Sequence, residues 1–451
     1  IPGSKILLLL SYRPEYVHTW GAKSYHSQIM LNRLSNSESL KMVSHLLGTE
    51  DLDESLVELI LEKTEGVPFF IEEFIKSFIE LKILESDGSK YRLKKGMETI
   101  NVPSTIQDVI MARVDSLSEG AKEVLQIGSV IEREFSYQLI KNMTDLPEQE
   151  LLSYLSSSKD LELLYERGIY PQSTYIFKHA LTQEVVYQSI LTKKRKKLHG
   201  EIGKAIENLY KKSLDEHYGV LAEHFLESEN YEKAANCSKL AARSAEKMAS
   251  LNDAVSFAKK AVASLENLPP TNDTERKLID ARTVLGLYLA QLNHFVDARK
   301  SIDPIFDLAI KHDYKKRLAQ IYLLAGIYDS FVVENYSEGI KQLEKGLNIA
   351  EEVNDIVSFV LGNYWLATIV SCNCEFEKAY HHLEKAIEIN VAANNLWGVS
   401  GMKGTLSMVL YWHGKIDLAY TTCLLYTSPS PRDSYADLVC RLVVEKGGGG
   451  G

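Results

Sequence analysis

The chain has 451 residues, of which 45% are hydrophobic and 25% charged, and its formal net charge is −10. It is too long for one ordinary domain, and the composition is typical of a folded protein that buries several cores. The negative charge argues against a protein that coats nucleic acid, and no apolar run reaches the length of a membrane span. We therefore expect a cytoplasmic protein without a membrane partner.

The first segment opens on "KILLLLSYRPEY", in which five apolar residues, 6–10, run into a turn. Such a run is typical of a central strand in a parallel sheet that is covered on both faces. A strand of this kind needs neighbouring strands and crossover helices, which residues 1–34 do not supply. We expect residues 1–34 to be the C-terminal end of a larger α/β domain whose remainder lies upstream.

Residues 35–100 show helical periodicity and are predicted to form a small helical bundle. Ser35 offers an N-cap for the first helix, and "EGVPFF" places Pro68 at the start of the third helix. The predicted buried stripes are Leu40, Val43, Leu46 and Leu47; Leu56, Leu59 and Ile60; and Phe70, Phe74, Ile75, Phe78 and Ile79.

Residues 101–192 combine helices with a hairpin. Ile106, Val109, Ile110, Val114 and Leu117 share one helical face, and another helix covers residues 151–155. The strand-like runs "LELLYE" and "TYIFKH" follow, and then the amphipathic "ALTQEVVYQSIL". Helices followed by a β-hairpin favour a winged-helix domain.

Four motifs carry a resemblance to a known family: "LLLLSYRPEY", "EGVPFFIEEFIKSFIELKIL", "VPSTIQDVIMARVDSLS" and "FKHALTQEVVYQSIL". In this order they resemble the STAND-class ATPases, AAA- and NB-ARC-like P-loop proteins often found behind adenylate or guanylate cyclase domains. The resemblance extends over about residues 5–210. It implies a nucleotide switch made of a P-loop core, a helical lid (35–100), a winged helix (101–192) and a repeat sensor. Residues 6–10 then resemble the sensor-1 strand of the core.

The resemblance also implies three nucleotide contacts, each with a plainer alternative. Arg13 would sense the γ-phosphate, or be a salt-bridged loop arginine. Pro68 would pack on adenine, or simply start a helix, and Val67 stands where related proteins often have asparagine. His179 would hold the β-phosphate of ADP, or be a core histidine, and Ala180 replaces the acidic residue of that motif.

The cofactor implied for the intact protein is ATP or ADP with magnesium. No GxxxxGK[ST] sequence occurs in the chain, so the loop and lysine that bind phosphates are absent from this sequence. We therefore assign no catalytic or metal-binding residue and expect this polypeptide alone to be inactive as an ATPase.

A winged helix can also bind DNA through its third helix, which then needs Lys or Arg side chains for phosphates. The corresponding stretch carries Glu148, Glu150, Asp160 and Glu162 against Lys159 alone. The basic run at residues 193–197 is typical of a solvated helix start. Nucleic acid is therefore not the expected partner.

Residues 193–422 are predicted to form tetratricopeptide-like helical repeats. An apolar residue followed three positions later by a small one recurs along this segment. The last three intervals between these apolar residues are 41, 40 and 40 residues long. The apolar anchors are Tyr231, Leu251, Phe295, Tyr336, Phe376 and Ile416. The small residues are Ala234, Ala254, Ala298, Gly339 and Ala379. Stacked repeats leave a groove for a protein or small ligand, which Tyr364, Trp365, Tyr380 and Trp397 could line, although such residues are more often core.

Residues 423–451 include "CLLYTSPSPRDS" and five terminal glycines. Back-translated, the first part resembles a transposon adapter from sequencing libraries. We interpret residues 423–451 as an artefact of sequencing and leave them out of fold prediction. The alternative is a Pro/Gly-rich tail.

The sequence therefore predicts a mainly α-helical fragment of a STAND-type signalling ATPase, whose repeat sensor governs a fused cyclase or a kinase effector. One alternative is a repeat scaffold that binds proteins without hydrolysing nucleotides. The other is a winged-helix transcription regulator.

Overall fold

The computed structural model describes residues 6–12, 16, 27–80, 84–86, 91–93 and 105–424. The chain divides into two compact units, residues 1–122 and residues 123–451. Each unit is described by itself below. In the described ranges, the fold is mainly helical and its strands are short.

The described part of the first unit holds helices and one antiparallel hairpin. Its elements are α1 (Asn36–Leu47), α2 (Glu54–Thr64), α3 (Pro68–Glu80), β1 (Leu84–Ser86), β2 (Tyr91–Leu93) and α4 (Ile106–Asp115). Ser35 caps α1 as predicted: its hydroxyl accepts from the Glu38 N–H at 3.3 Å, and the Glu38 carboxylate accepts from the Ser35 N–H at 2.8 Å.

The predicted stripes of the first unit are largely confirmed. Val43, Leu56, Ile60, Phe74 and Phe78 are all fully buried. The third stripe needs one correction, because Ile71 is buried whereas Ile79 is 50% exposed. The buried stripe of α3 therefore runs from Ile71 to Phe78, and Phe70, its predicted first member, is only half-buried.

The strand predicted at residues 6–10 is wrong for this structure. Residues 6–12 belong to no strand, and Leu7 and Leu9 are 84% and 81% exposed. A strand is stabilised by its neighbours, and none of the described strands pairs with this segment. Its apolar side chains are consequently left facing solvent.

A buried ion pair joins α3 to α4. Arg113 donates to the carboxylate of Glu73, and the two residues are only 3% and 1% exposed. Removing either partner would leave a charge buried without its counterion, which is far more costly than keeping the pair.

The second unit begins within α5 (Glu119–Ile131). The elements that follow are β3 (Glu134–Ser136), α6 (Tyr137–Met143), α7 (Glu148–Asp160), β4 (Leu164–Arg167), β5 (Thr174–Phe177), α8 (Ala180–Ser189) and α9 (Thr192–Leu209). The strands form an antiparallel sheet in the order β3-β5-β4, with Phe135 opposite Tyr175 and Tyr165 opposite Ile176. The predicted helix and hairpin are confirmed, whereas β3 was not predicted.

A helical array follows. Its helices are α10 (Tyr218–Glu227), α11 (Tyr231–Lys247), α12 (Leu251–Glu266), α13 (Asn272–Gln291), α14 (Phe295–Ile302), α15 (Phe306–Lys311), α16 (Lys315–Phe331), α17 (Tyr336–Glu352), α18 (Ile356–Cys372), α19 (Phe376–Ala392), α20 (Leu396–Trp412) and α21 (Ile416–Leu424). Every predicted anchor is the first residue of a helix. The tetratricopeptide-like repeat prediction is thereby confirmed.

The 40-residue spacing has a simple structural origin. The helices α17 to α20 are each 17 residues long, and three-residue turns separate them. Each of these turns contains a residue with positive φ, such as Asn354 at 53° and Asn394 at 52°. Two helices and two such turns make one repeat, which is longer than a tetratricopeptide unit of about 34 residues.

The array has two layers. In the first layer, here called the A layer, α13 contacts α16, α16 contacts α18, and α18 contacts α20. The intervening helices α14, α15, α17, α19 and α21 form the B layer. The predicted small residues Ala298, Gly339 and Ala379 are buried in the B layer, and so is Ala419, which was not predicted. Each lies near a small residue of the A layer that stands nine or ten positions before the anchor of its helix. These A-layer residues are Gly286, Gly326, Ala367 and Ser407.

The array is described through Leu424, two residues beyond the predicted boundary at 422. Residues 425–451, which hold most of the suspected artefact, lie outside the described residues. Within the described ranges, no helix has both the length and the apolar character that crossing a bilayer requires.

Candidate functional site

Of the three predicted nucleotide contacts, Arg13 lies outside the described residues. Pro68 is the first residue of α3 and is exposed. The corner before it is fixed by backbone contacts, since Gly66 has φ of 73° and its carbonyl accepts from the Leu34 N–H at 2.8 Å. A side chain at Gly66 would lie 2.2 Å from the Leu34 carbonyl oxygen, so this corner requires glycine.

His179 lies at the junction of β5 and α8, where it is the N-cap residue. The residue as a whole is half-buried, its ring atom Nε2 is buried, and its backbone carbonyl accepts from the Thr182 N–H at 3.1 Å. A helix N-terminus favours negative charge because its first N–H groups are not used within the helix. Helix α8 is held in place by Gln183, whose amide donates to the Ser129 carbonyl at 2.6 Å.

Pro68 belongs to the first unit and His179 to the second. Among the described residues, no group of three or more His, Cys, Asp or Glu side chains could hold a metal ion. The phosphate-binding loop is also absent from the sequence. The described residues of this chain therefore do not complete a nucleotide pocket by themselves.

A hydrogen-bonded chain of three rings, one tyrosine and two histidines, links α8, α9 and α10. The Tyr187 hydroxyl lies 3.0 Å from His199 Nε2, and His199 Nδ1 lies 2.9 Å from His224 Nδ1. His199 and His224 are 7% and 3% exposed. Burial lowers the pKa of His199 to about 4 and that of His224 to about 3, with smaller contributions from Arg195 and from His199, respectively. Both rings are therefore neutral at pH 7.

This junction was missed in the sequence, where Tyr187, His199 and His224 stand 12 and 25 residues apart. No local pattern signals a contact between them. The junction joins α8, whose N-cap residue is His179, to α10, the first helix of the array.

The acidic helix α7 keeps its predicted character. Glu148 pairs with Lys141 at 2.9 Å, and Lys159 pairs with Glu166 at 2.6 Å. The single lysine of this stretch is thus matched by a carboxylate. The helix lacks the excess of positive charge that phosphate contacts require.

The basic run at the start of α9 also has acidic partners. Lys194 lies 3.5 Å from Glu123, and Lys196 lies 2.6 Å from Glu229. This pairing is typical of a solvated helix face, as predicted.

The aromatic residues of the array have mixed placements. Trp365 packs against Phe295 and Phe331, with ring centroids 5.9 and 5.6 Å away, so it belongs to the packing between repeats. The Tyr380 hydroxyl lies 2.7 Å from His413 Nδ1. Tyr364 contacts Thr405 of α20, and burial raises the pKa of its hydroxyl. The side chain of Trp397 lies outside the described residues.

Comparison with known proteins gives one family match. The model of a domain of unknown function, DUF8739, matches residues 35–87, which contain α1 to α3 and β1. The match is confined to the segment predicted to be the helical lid.

A curated relative is the uncharacterized protein R02095 of Rhizobium meliloti, 22% identical over 286 residues. The alignment covers 62% of this chain and 27% of the relative. The chain thus matches about a quarter of the length of that protein.

The solved structures that are similar to the chain include two whose alignments cover most of it. A STAND protein with a tetratricopeptide repeat sensor from Pyrococcus horikoshii is 13% identical, and the alignment covers 92% of this chain and 61% of that one, with a TM-score of 0.36. Aspartyl phosphate phosphatase F from Bacillus subtilis is 12% identical, with coverage of 92% and 95% and a TM-score of 0.37. At these TM-scores neither likeness establishes a shared overall fold, so the repeat assignment depends on the helices of this chain.

Proposed function

We propose that this chain is part of a STAND-type signalling ATPase in which a tetratricopeptide-like array senses a protein or small ligand. The observation that carries the proposal is the placement of His179. The segment before His179, from α5 to β5, runs helix–strand–helix–helix–strand–strand, and we assign it as a winged helix. The helices after His179, α8 and α9, lead into the array.

The residues of this chain would act by holding one conformation of the longer protein. An imidazole at the start of α8 can donate a hydrogen bond to a phosphate oxygen, and the adjacent helix N-terminus favours the same charge. Pro68 would supply an apolar surface for the base. When bound, the nucleotide would supply the negative charge that the start of α8 favours.

The junction of Tyr187, His199 and His224 gives α8 a physical connection to the array. A ligand that binds one conformation of the array better than another would shift α10, and this connection would carry the shift to α8. The size of the response is limited by the difference in affinity between the two conformations. The effector would be a fused nucleotide cyclase or a kinase.

The proposal is tested on the natural full-length protein. His179→Ala should weaken ADP binding at least tenfold in isothermal titration calorimetry and raise basal effector activity, whereas Lys178→Ala, one residue away, should change neither. Unaltered ADP affinity in the His179→Ala protein would contradict the switch role.

A second candidate is a repeat scaffold that uses only protein partners. It is favoured by the array itself, which forms more than half of the described chain and includes none of the three predicted nucleotide contacts. Full-length protein that binds neither ATP nor ADP would support the scaffold. Duplex DNA binding that weakens with salt would instead support a transcription regulator.

A further inference from the structure

The turn between α18 and α19 carries two thiols within three residues. Cys372 is the last residue of α18, and Cys374 lies in the middle of the turn that follows. Both are free and exposed, whereas Cys237 of α11 is buried. A buried cysteine is explained by packing, but packing does not explain a pair of cysteines at the surface.

The backbone of the turn brings the two cysteines close together. Asn373, between them, has φ of −85° and ψ of 7°. These angles lie near the helical region, in which the α-carbons of residues two apart are about 5.5 Å from each other. Cysteines with α-carbons about 4.4–6.8 Å apart can join their sulfur atoms directly, so an ion between the two sulfur atoms is also within reach.

Cys374 occupies a backbone position that does not favour cysteine. Its φ is 62°, in the left-handed region. In the neighbouring turns the same position is held by Asn354, Asn394 and Gly414, residue types that adopt positive φ more readily than cysteine does. The conformation of the turn therefore gives no reason for a cysteine here.

The end of α18 favours a cation over a free thiolate. The last carbonyl groups of a helix give its C-terminus a partial negative charge. Burial raises the pKa of the Cys372 thiol, and the neighbouring Cys374 raises it as well. The Cys372 thiol donates to the Thr368 carbonyl at 3.4 Å.

Cysteines that react as free thiolates have the opposite setting, which is a helix N-terminus or a neighbouring Lys, Arg or His. Lys378, the first basic residue after the turn, is paired with Glu375. A cation that takes the place of both thiol protons is therefore favoured here over oxidation of a free thiolate.

The number of ligands identifies the kind of ion. Among the described residues, no group of three or more His, Cys, Asp or Glu side chains could hold a metal, so the pair has two thiolates and no third ligand of these types. A structural zinc site takes four ligands, and magnesium or calcium takes oxygen ligands. Soft thiolates select Cu(I), a closed-shell ion that is stable with two of them.

We propose that Cys372 and Cys374 form a binding site for a soft monovalent metal ion of the Cu(I) class. On binding, each thiol releases its proton to solvent and each sulfur forms a bond to the ion. No electron is transferred, so the step needs neither an oxidant nor a reductant. The site includes none of the predicted nucleotide contacts and does not depend on the proposed switch.

The bound ion fastens the turn between α18 and α19. The turn is closed by the Cys374 N–H, which donates to the Ser371 carbonyl at 3.0 Å, and by the Glu375 N–H, which donates to the Val370 carbonyl at 2.9 Å. A metal bridge from Cys372 to Cys374 restricts the same segment. The two N–H groups should therefore exchange with solvent more slowly when the ion is bound.

The test uses the full 451-residue chain carrying Cys423→Ser and Cys440→Ser, so that Cys237, Cys372 and Cys374 are its only thiols. The reduced chain is titrated with Cu(I) without oxygen, in competition with a chromophoric Cu(I) chelator. Cys372→Ser and Cys374→Ser are compared with Cys237→Ser, the matched control that also removes one thiol. Circular dichroism establishes that each variant folds.

The expected result is one Cu(I) ion per chain, with the ultraviolet absorption of a copper–thiolate bond. Loss of Cys372 or of Cys374 should weaken binding more than tenfold, whereas Cys237→Ser should change the affinity less than twofold. Exchange of the Cys374 and Glu375 amides should slow on binding, and exchange of the α11 amides should not.

Three results would overturn the proposal. Equal Cu(I) affinity in the chain that lacks both Cys372 and Cys374 would show adventitious binding only. Displacement of Cu(I) by equimolar Zn(II) would show a site with further ligands. A Cys372–Cys374 disulfide formed by glutathione disulfide, in a chain that does not bind Cu(I), would show a redox pair. None of these results involves ADP, so a failed metal site and a failed nucleotide switch remain distinguishable.

Discussion

The close contact between α16 and α17 allows a sharp prediction for Gly339→Ala. A side-chain carbon at position 339 would lie 2.0 Å from Ser330 Oγ and 2.9 Å from the carbonyl oxygen of Gly326. The serine hydroxyl can rotate away, but the carbonyl belongs to the backbone of the neighbouring helix. The two helices must therefore separate by several tenths of an ångström.

The magnitude follows from two opposing terms. Overpacking of this kind costs roughly 1–3 kcal/mol. Alanine in place of a helical glycine returns up to about 1 kcal/mol of helix propensity, and less near the first turn, where Gly339 lies. We expect a net loss of about 1–2 kcal/mol.

Gly401→Ala is the matched control. It is also a helical glycine of the array, but no atom of the described residues would touch the new side chain. Only the propensity term remains, so this variant should gain about 0.5–1 kcal/mol. The two substitutions are identical in chemistry and opposite in expected sign.

Native-state hydrogen exchange of the α16 and α17 amides is the suitable assay, because repeats that contact only their neighbours need not unfold together. Ser330→Ala in the Gly339→Ala background should recover part of the loss and not all of it, since the Gly326 carbonyl remains. If Gly339→Ala proves as stable as Gly401→Ala, the close contact between these helices does not exist in solution.

Two further predictions concern buried polar groups. Because the folded pKa values of His199 and His224 lie below the ordinary value of 6.5, the unfolded chain takes up protons first as the pH falls. The contribution of the two neutral histidines to the free energy of unfolding should be complete above about pH 6.5 and be lost towards pH 3–4. The denaturant concentration at the unfolding midpoint should therefore fall as the pH is lowered through this range. In the His224→Phe variant it should fall less steeply. Glu73→Gln should lower the free energy of unfolding by roughly 3–5 kcal/mol, because it leaves Arg113 buried without its counterion. The amides of α3 and α4 should lose protection from hydrogen exchange. A change below about 1 kcal/mol would contradict the burial of this pair.

The array could be predicted well because its signal is local and repeated. Each anchor, such as Tyr336, occurs with a small residue one turn later, and from Phe295 onward the pattern recurs at a nearly constant interval. The A-layer residues that pack against those small residues were not predicted, although they are also small and stand at a nearly constant distance before each anchor. Gly286 and Gly326, for example, stand nine and ten positions before their anchors.

Contacts between distant residues could not be predicted. Arg113 and Glu73 are 40 residues apart, and their pairing depends on how α3 packs on α4. Strand β3 is three residues long, which is too short for an alternating pattern to be recognised, so only its pairing with β5 identifies it. The apolar residues 6–10 show the opposite case, a strong strand signal without a partner strand.

The nucleotide contacts were inferred from resemblance, and their placement remains a prediction. Pro68 begins helix α3, which agrees equally well with the alternative interpretation that this proline only starts a helix. His179 is the N-cap residue of α8, as a contact to a phosphate would require, but the GxxxxGK[ST] loop that would bind the other phosphates does not occur in this sequence.

The ring chain from Tyr187 to His224 has a direction. Each neutral imidazole carries one N–H, so if His224 donates to His199, the other nitrogen of His199 carries the proton and donates to Tyr187. If His199 donates to His224, its other nitrogen must instead accept from the Tyr187 hydroxyl. The heavy-atom positions are the same in the two arrangements. The direction in which each hydrogen bond is donated, along α8, α9 and α10, is opposite. A change in the partner of His224 can therefore switch the Tyr187 hydroxyl on α8 between accepting and donating a hydrogen bond. The ¹⁵N chemical shifts of the two imidazole rings would show which arrangement is present.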